Sequence, residues 1–122
     1  MPRVRVLFFR EGDATVPVLG WLDSLPSRAQ DKCVVRIERL AELGHELRRP
    51  EAAYLRDGIY ELRAKHARVN YRLLYYFHGK NAAVITNGFA KQRARVPGRE
   101  IDTAVVCKQA FEADPERHTH EA

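Results

Sequence analysis

Cysteine is scarce in this 122-residue chain: there are two, Cys33 and Cys107, in neither a C-x-x-C nor a mixed Cys/His pattern. That argues against a disulfide framework and a zinc site, and both read as small core residues. Long apolar runs are missing too. No stretch approaches the roughly 18 residues that would span a bilayer. The start MPRVRVLFFRE has no apolar signal segment or small-residue cleavage site, so a cytoplasmic protein without membrane contact is expected. No Gly-rich phosphate loop, HExxH, GxSxG, internal repeat or low-complexity tract occurs. The length suits one domain over 1–122, with enough hydrophobic residues (45%) for one modest core.

What the middle of the chain has least of is acid. Residues 48–99 hold twelve Lys or Arg against three acids (Glu51, Asp57, Glu61), a net of +9, so the remainder of a chain whose total is +5 carries −4. Such segregation suits a polyanion-binding face, because each neutralised phosphate releases counterions and adds affinity. A merely solvated surface more often mixes its signs. With so few acids, a two-metal nuclease is disfavoured and a mechanism without metal or cofactor is expected.

VRVLFF over 4–9 is β-branched and aromatic, a first strand. Thr15 can cap a helix with Pro17 in its first turn, after which Val18, Leu19, Leu22 and Leu25 follow at helical spacing. Pro26 stops that helix, and Ser27 with Gln30 forms a capping box for a second, whose buried stripe is Ala29, Cys33, Ile37 and Leu40, supplemented by Val34 and Ala41, and whose end is Gly44. From residue 54 the period becomes two. After Tyr54-Leu55 and an Asp57-Gly58 turn, Tyr60, Leu62 and Ala64 alternate with Glu61, Arg63 and Lys65. Next, Val69, Tyr71, Leu73, Tyr75 and Phe77 alternate with Asn70, Arg72, Leu74, Tyr76 and His78. A hairpin turn at 78–81 leads to AAVITNGFA, where Gly88 marks a bulge or a close approach. Residues 99–113 return to helical spacing, and the polar tail from about 114 is expected to fray. The expected fold is α+β, in the order β-α-α-β-β-β-α: a mostly antiparallel sheet of about four strands, two N-terminal helices on one face and a C-terminal helix.

If helices cover one face, the other is open, and Arg63, Lys65 and Arg72 project from it on adjacent strands. RNA cleavage by the 2′-hydroxyl needs removal of its proton, charge stabilisation at phosphorus and protonation of the 5′-oxygen. Arginine holds its proton but forks onto phosphate oxygens, so Arg63 and Arg72 suit the clamp. Lys65 or His66 suits proton transfer, and Lys91 with Gln92, Arg93 and Arg95 extends the surface. Arg56 and Arg68 are further RNA contacts, and Tyr76 is the best base-stacking candidate. Plainer readings stand beside these. Glu61 can pair with Arg63 or Arg72 as a structural ion-pair network, and His66, near a turn, can be a spectator. His118 and His120 lie in the tail as bystanders. Tyr60, Tyr71, Tyr75, Phe77 and Phe89 are core. Trp21 is packing or a partner anchor.

Three motifs in order, G-x-Y-E-L-R at Gly58–Arg63, Y-R-x-x-Y at Tyr71–Tyr75, and G-F-x-K with P-x-R-E-I at Gly88–Lys91 and Pro97–Ile101, give the chain a family likeness. It resembles the phage-derived HigB-like branch of the RelE/ParE toxin superfamily over about residues 4–112. The resemblance implies a RelE-like fold and the toxin of a type II toxin–antitoxin system, a ribosome-dependent endoribonuclease (mRNA interferase) that inhibits translation. It also implies neutralisation by a helix-turn-helix, HigA-like antitoxin whose complex can bind operator DNA. By motif position Arg63, Lys65, Arg72, Lys91 and Arg93 fall on the family's basic positions. The C-terminal tyrosine that some RelE members place over the base is missing, with Pro97-Gly98 nearby. Two other classes fit the same fold: a ParE-like gyrase inhibitor and a non-catalytic phage-derived RNA- or protein-binding module.

Overall fold

The computed structural model describes residues 3–91 and 95–121. Its elements, in order, are β1 (Arg5–Phe9), α1 (Pro17–Asp23), α2 (Ser27–Leu43), a 3-10 turn (Gly44–Glu46), β2 (Ala52–Arg56), β3 (Ile59–His66), β4 (Val69–His78), β5 (Ala82–Lys91), α3 (Gly98–Ala113), α4 (Pro115–His118) and β6 (Thr119–Glu121). The α+β class and the order of the larger elements match the RelE-like expectation. The strand count does not. One six-stranded mixed sheet runs β2-β3-β4-β5-β1-β6, because residues 52–56 pair with β3 and the tail pairs antiparallel with β1.

The β2–β3 and β3–β4 turns explain the long meander. Asp57 and Gly58 both have positive φ (54° and 81°), as do Ala67 and Arg68 (51° and 68°). Two consecutive left-handed residues twist a two-residue hairpin to match its strands. The first turn has the Asp-Gly that this geometry favours, whereas the second places two side-chain-bearing residues there. β1 then inserts beside β5 in parallel, Arg5 opposite Ala82 through Phe8 opposite Ile85.

Period-two alternation divides the sheet residues between two cores. On one face Val6, Phe8, Leu62, Ala64, Tyr71, Leu73, Tyr75 and Ile85 pack with Val18, Leu22, Ala29, Cys33 and Leu40 of α1 and α2. On the other, Leu7, Phe9, Ile59, Leu74, Tyr76, Val84 and Phe89 pack with Ile101, Ala104, Cys107 and Phe111 of α3. The expected open second face is thus half covered. Burial pushes both thiols up to about 11, which keeps them protonated.

The expected helix caps differ in detail. Neither Thr15 nor Ser27 caps: Val16 and Pro26 occupy the N-cap positions without a side-chain bond, and Thr15 instead donates from its amide and hydroxyl to Asp13. Gly44 does end α2, in a positive-φ conformation. The tail is ordered rather than frayed. His118 stacks on Phe9 with ring centroids 5.1 Å apart and bonds through Nδ1 to the Arg10 carbonyl, His120 stacks on Phe8, and Arg5 pairs with Glu121.

Gly88 marks a close approach, by a side chain, and pairs regularly with Leu73, whereas the bulge lies two residues before it. The β4–β5 register slips between Leu74/Asn87 and Tyr75/Ile85, leaving Thr86 as the extra residue. At Gly88 itself, a Cβ would stand 2.4 Å from the Trp21 ring, so that indole, half-buried here, is packing against the strand rather than a free anchor. Gly88→Ala should therefore cost about 1–3 kcal/mol of stability through overpacking. Thermal or urea unfolding checks this, and a variant as stable as the parent would show that α1 yields freely.

Candidate functional site

The strand register lays three rows across the face that α3 half covers. Glu61, Leu74 and Asn87 are cross-strand neighbours, then Arg63, Arg72 and Phe89, then Lys65, Asn70 and Lys91. α3 covers the first row, where Asn87 donates to the backbone carbonyl and carboxylate of Glu100. The second row still meets the α3 core through Phe89, and Arg63 and Lys65 on β3 are the more accessible cations of the two rows.

Glu61 organises the second row from the first. Its side chain is almost fully buried, and Oε2 accepts from Nε and the terminal nitrogen of Arg63 at 3.1 and 3.0 Å. Oε1 lies 2.8 Å from Nε of Arg72, yet the N–H is not directed at it, and neither atom has a hydrogen-bond partner among the described residues. The contact is Coulombic without a hydrogen bond. A buried donor and acceptor so placed lose hydration and are compensated by their mutual charge at 2.8 Å. Arg72 is 8% exposed, and one terminal nitrogen donates to the Tyr71 carbonyl. Burial draws its guanidinium below the ordinary arginine value, opposed by Glu61 and assisted by Arg63.

Lys91 is equally buried. Burial lowers its ammonium below the usual lysine range, and the nearby charge of Arg72 adds to that, with Glu61 acting the other way. Two arginines thus contact one carboxylate, and a buried lysine lies within reach of their charge. Such a set can bind and neutralise a dianionic or developing anionic centre, and its lysine can release a proton more readily than a surface one.

The other sequence candidates divide. Lys65 shares the face but is exposed. His66 falls in alternation with Leu62 and Ala64, opposite Val69, so it faces the α1/α2 side and not the cations. Tyr76 cannot stack on a base: it is 1% exposed beneath α3, edge-on to Phe111, with its hydroxyl donating to Glu112. Arg56 is held by Asp57 and Asp102 on the far side of Glu61. Arg68 and Arg95 are exposed, Arg68 in the turn that follows Lys65 and His66. Gln92 and Arg93 lie outside the described residues. The ion-pair reading of Glu61 holds, and Asn70, between the two lysines, is a site residue that only the strand register reveals. Among the described residues no group of three or more His, Cys, Asp or Glu is placed to hold a metal ion, and no helix is long and apolar enough to cross a membrane.

The family model of phage-derived Gp49-like proteins (DUF891) matches residues 20–108. The chain belongs to that family. No curated protein matches it. The Gp49-like span runs from α1 into α3 and so contains all three rows, whereas β1 and the tail that pairs with it fall outside.

Proposed function

We propose that this Gp49-like chain is the toxin of a type II toxin–antitoxin pair, of the RelE/HigB kind, and that it cleaves messenger RNA on the ribosome. The carrying observation is the cross-strand pair of half-buried Arg63 and buried Arg72, both beside the buried carboxylate of Glu61, with buried Lys91 one row further on. Phage-derived family membership and the α+β fold agree with a toxin-like module. Cations placed for surface attraction alone would not need burial, which costs solvation; positioning at a reacting phosphate justifies it.

In this reading the scissile phosphate sits against Arg63 and Arg72, whose guanidiniums bind its non-bridging oxygens. The 2′-oxygen attacks phosphorus while the bond to the 5′-oxygen breaks, leaving a 2′,3′-cyclic phosphate and a 5′-hydroxyl. Lys91 donates the proton that the 5′-oxygen needs. Lys65, at the exposed end of the same row, is the candidate for the 2′ proton. The ribosome supplies alignment of the RNA, which accounts for so small a proton-transfer set. A helix-turn-helix antitoxin would silence the site by covering this face or by keeping the toxin off the ribosome.

Induction in cells followed by mapping of messenger RNA 5′ ends tests the reading. New, codon-biased ends are expected. Growth arrest with altered DNA supercoiling and no new ends would favour a gyrase-directed toxin instead.

Lys91 gives a pH test. A general acid works protonated, so the single-turnover rate should carry a descending limb as pH rises through the lysine's value, which lies below the ordinary 10.5. Lys91→Arg, which holds its proton, should lower the rate about 100-fold or more and remove that descending limb. An unchanged profile would exclude Lys91 as the acid.

A further inference from the structure

On the α1/α2 face, at the end of the sheet away from the cation rows, a chain of aromatic rings reaches the surface. Tyr75 stacks with Tyr60 (5.3 Å between centroids), Tyr60 meets Tyr54 edge-on (5.0 Å), and Phe77 lies between Tyr60 and a stacked His45 (3.7 Å). The outermost ring, Tyr54, is 55% exposed on edge strand β2. It is nonetheless fixed. Its hydroxyl accepts the Gly58 amide at 3.0 Å and its edge rests on Tyr60.

Beside these rings opens a cavity of about 330 Å³ lined by His45, Arg48, Arg49, Tyr54 and Tyr60 among others, with no carboxylate in its wall. Arg48 and Arg49 are both exposed. No acid among the described residues pairs with either. The neighbouring Glu51 is turned away, bonded to Arg39 at 2.9 and 3.0 Å and to Arg36 at 3.2 Å.

We propose that this cavity is a second nucleic-acid site, which takes one nucleotide of a single-stranded RNA with its base on Tyr54 and Tyr60 and its phosphate on Arg48 and Arg49. A preset aromatic face beside unpaired guanidiniums, without competing acids, matches how single strands are held: stacking for the base and charge for the backbone. An acidic peptide would use the arginines but leave the ring face unexplained. The site takes its ligand class from the ribonuclease reading, yet it is separate in space: it lies on the opposite face from Arg72, at the other end of β3 and β4. A strand passing over the short edge strand β2 would touch both, so the cavity would hold RNA flanking the cut.

Binding of a fluorescein-labelled, 2′-O-methylated single-stranded RNA 12-mer, which cannot be cut by 2′-hydroxyl attack, is measured by anisotropy over a range of salt. Arg48→Ala/Arg49→Ala and, separately, Tyr54→Ala should each weaken it about tenfold, and Tyr54→Phe, which keeps the ring but loses the bond to the Gly58 amide, should weaken it less than Tyr54→Ala. Loss of the one phosphate contact in the arginine double variant should also flatten the slope of log affinity against log salt by about 0.7. All three positions are at the surface, and melting curves confirm folding. No binding by the parent, or binding and salt slope unchanged in the arginine double variant, would overturn the proposal, as would loss of polyglutamate binding but not RNA binding. If the double variant binds normally while Arg72→Ala does not cut, this inference fails and the ribonuclease reading stands. If the parent never cuts yet the double variant loses the oligonucleotide, the reverse holds.

Discussion

Arg72→Ala is expected to abolish growth arrest and to lower the rate of cleavage on ribosomes by at least about 100-fold, the usual cost of removing one preorganised contact to a charged transition state. The chain should remain folded, since Arg63 still bonds the buried carboxylate of Glu61 through two nitrogens. Arg72→Lys should recover little. A lysine keeps the charge but not the planar fork that reaches two phosphate oxygens, and its shorter donor set cannot occupy the same place beside Glu61. Toxicity on induction and single-turnover cleavage are the readouts, with circular dichroism as the fold control. Full toxicity in Arg72→Ala would remove the cation rows from the mechanism.

The largest effect on stability should come from Glu61→Leu. The substitution leaves Arg63 and Arg72 as cross-strand partners with no intervening carboxylate, one of them buried. Breaking a buried pair by removing one member typically costs about 3–5 kcal/mol, which for a domain of this size is a fall in Tm of about 10–20 °C. The double variant Glu61→Leu/Arg72→Met should regain most of that loss, because replacing both members by apolar groups removes the stranded charge. Additive losses in the two single variants and the double would mean that the pair is not coupled, and the account of Glu61 as the organiser of the row would fall.

Much of this arrangement was legible in the sequence, and the misses have specific causes. Alternation in β3 and β4 placed Arg63 and Arg72 on one face correctly, and the Asp57-Gly58 and 78–81 turns set the hairpins. The same alternation carried an unread signal: Leu74 and Tyr76 lie on that face too, and a strand apolar on both sides is a strand sandwiched between layers. That alone would have predicted cover over half the face and removed Tyr76 as a base-stacking residue. His66 was misplaced for a related reason, since proximity in sequence to Lys65 outweighed the period of two. Burial of Lys91 depends on β5 lying beside β4 with one residue bulged, and no local pattern specifies that slip. A three-residue strand of polar residues has no periodic signature, so the sequence alone suggests a frayed tail; its order comes from two histidine rings lying on Phe8 and Phe9, partners more than a hundred residues away.

That closing strand has a practical consequence. Arg5 and Glu121 meet at the beginning of β1, beside Ala82 at the start of β5, whereas Lys91 and its neighbours sit where β5 ends. A purification tag, fluorophore or carrier protein attached at either extremity of the described fold therefore emerges from the end of the sheet opposite the cation rows, and a short linker between the two extremities would make this a natural place to rejoin the chain in a circular permutant.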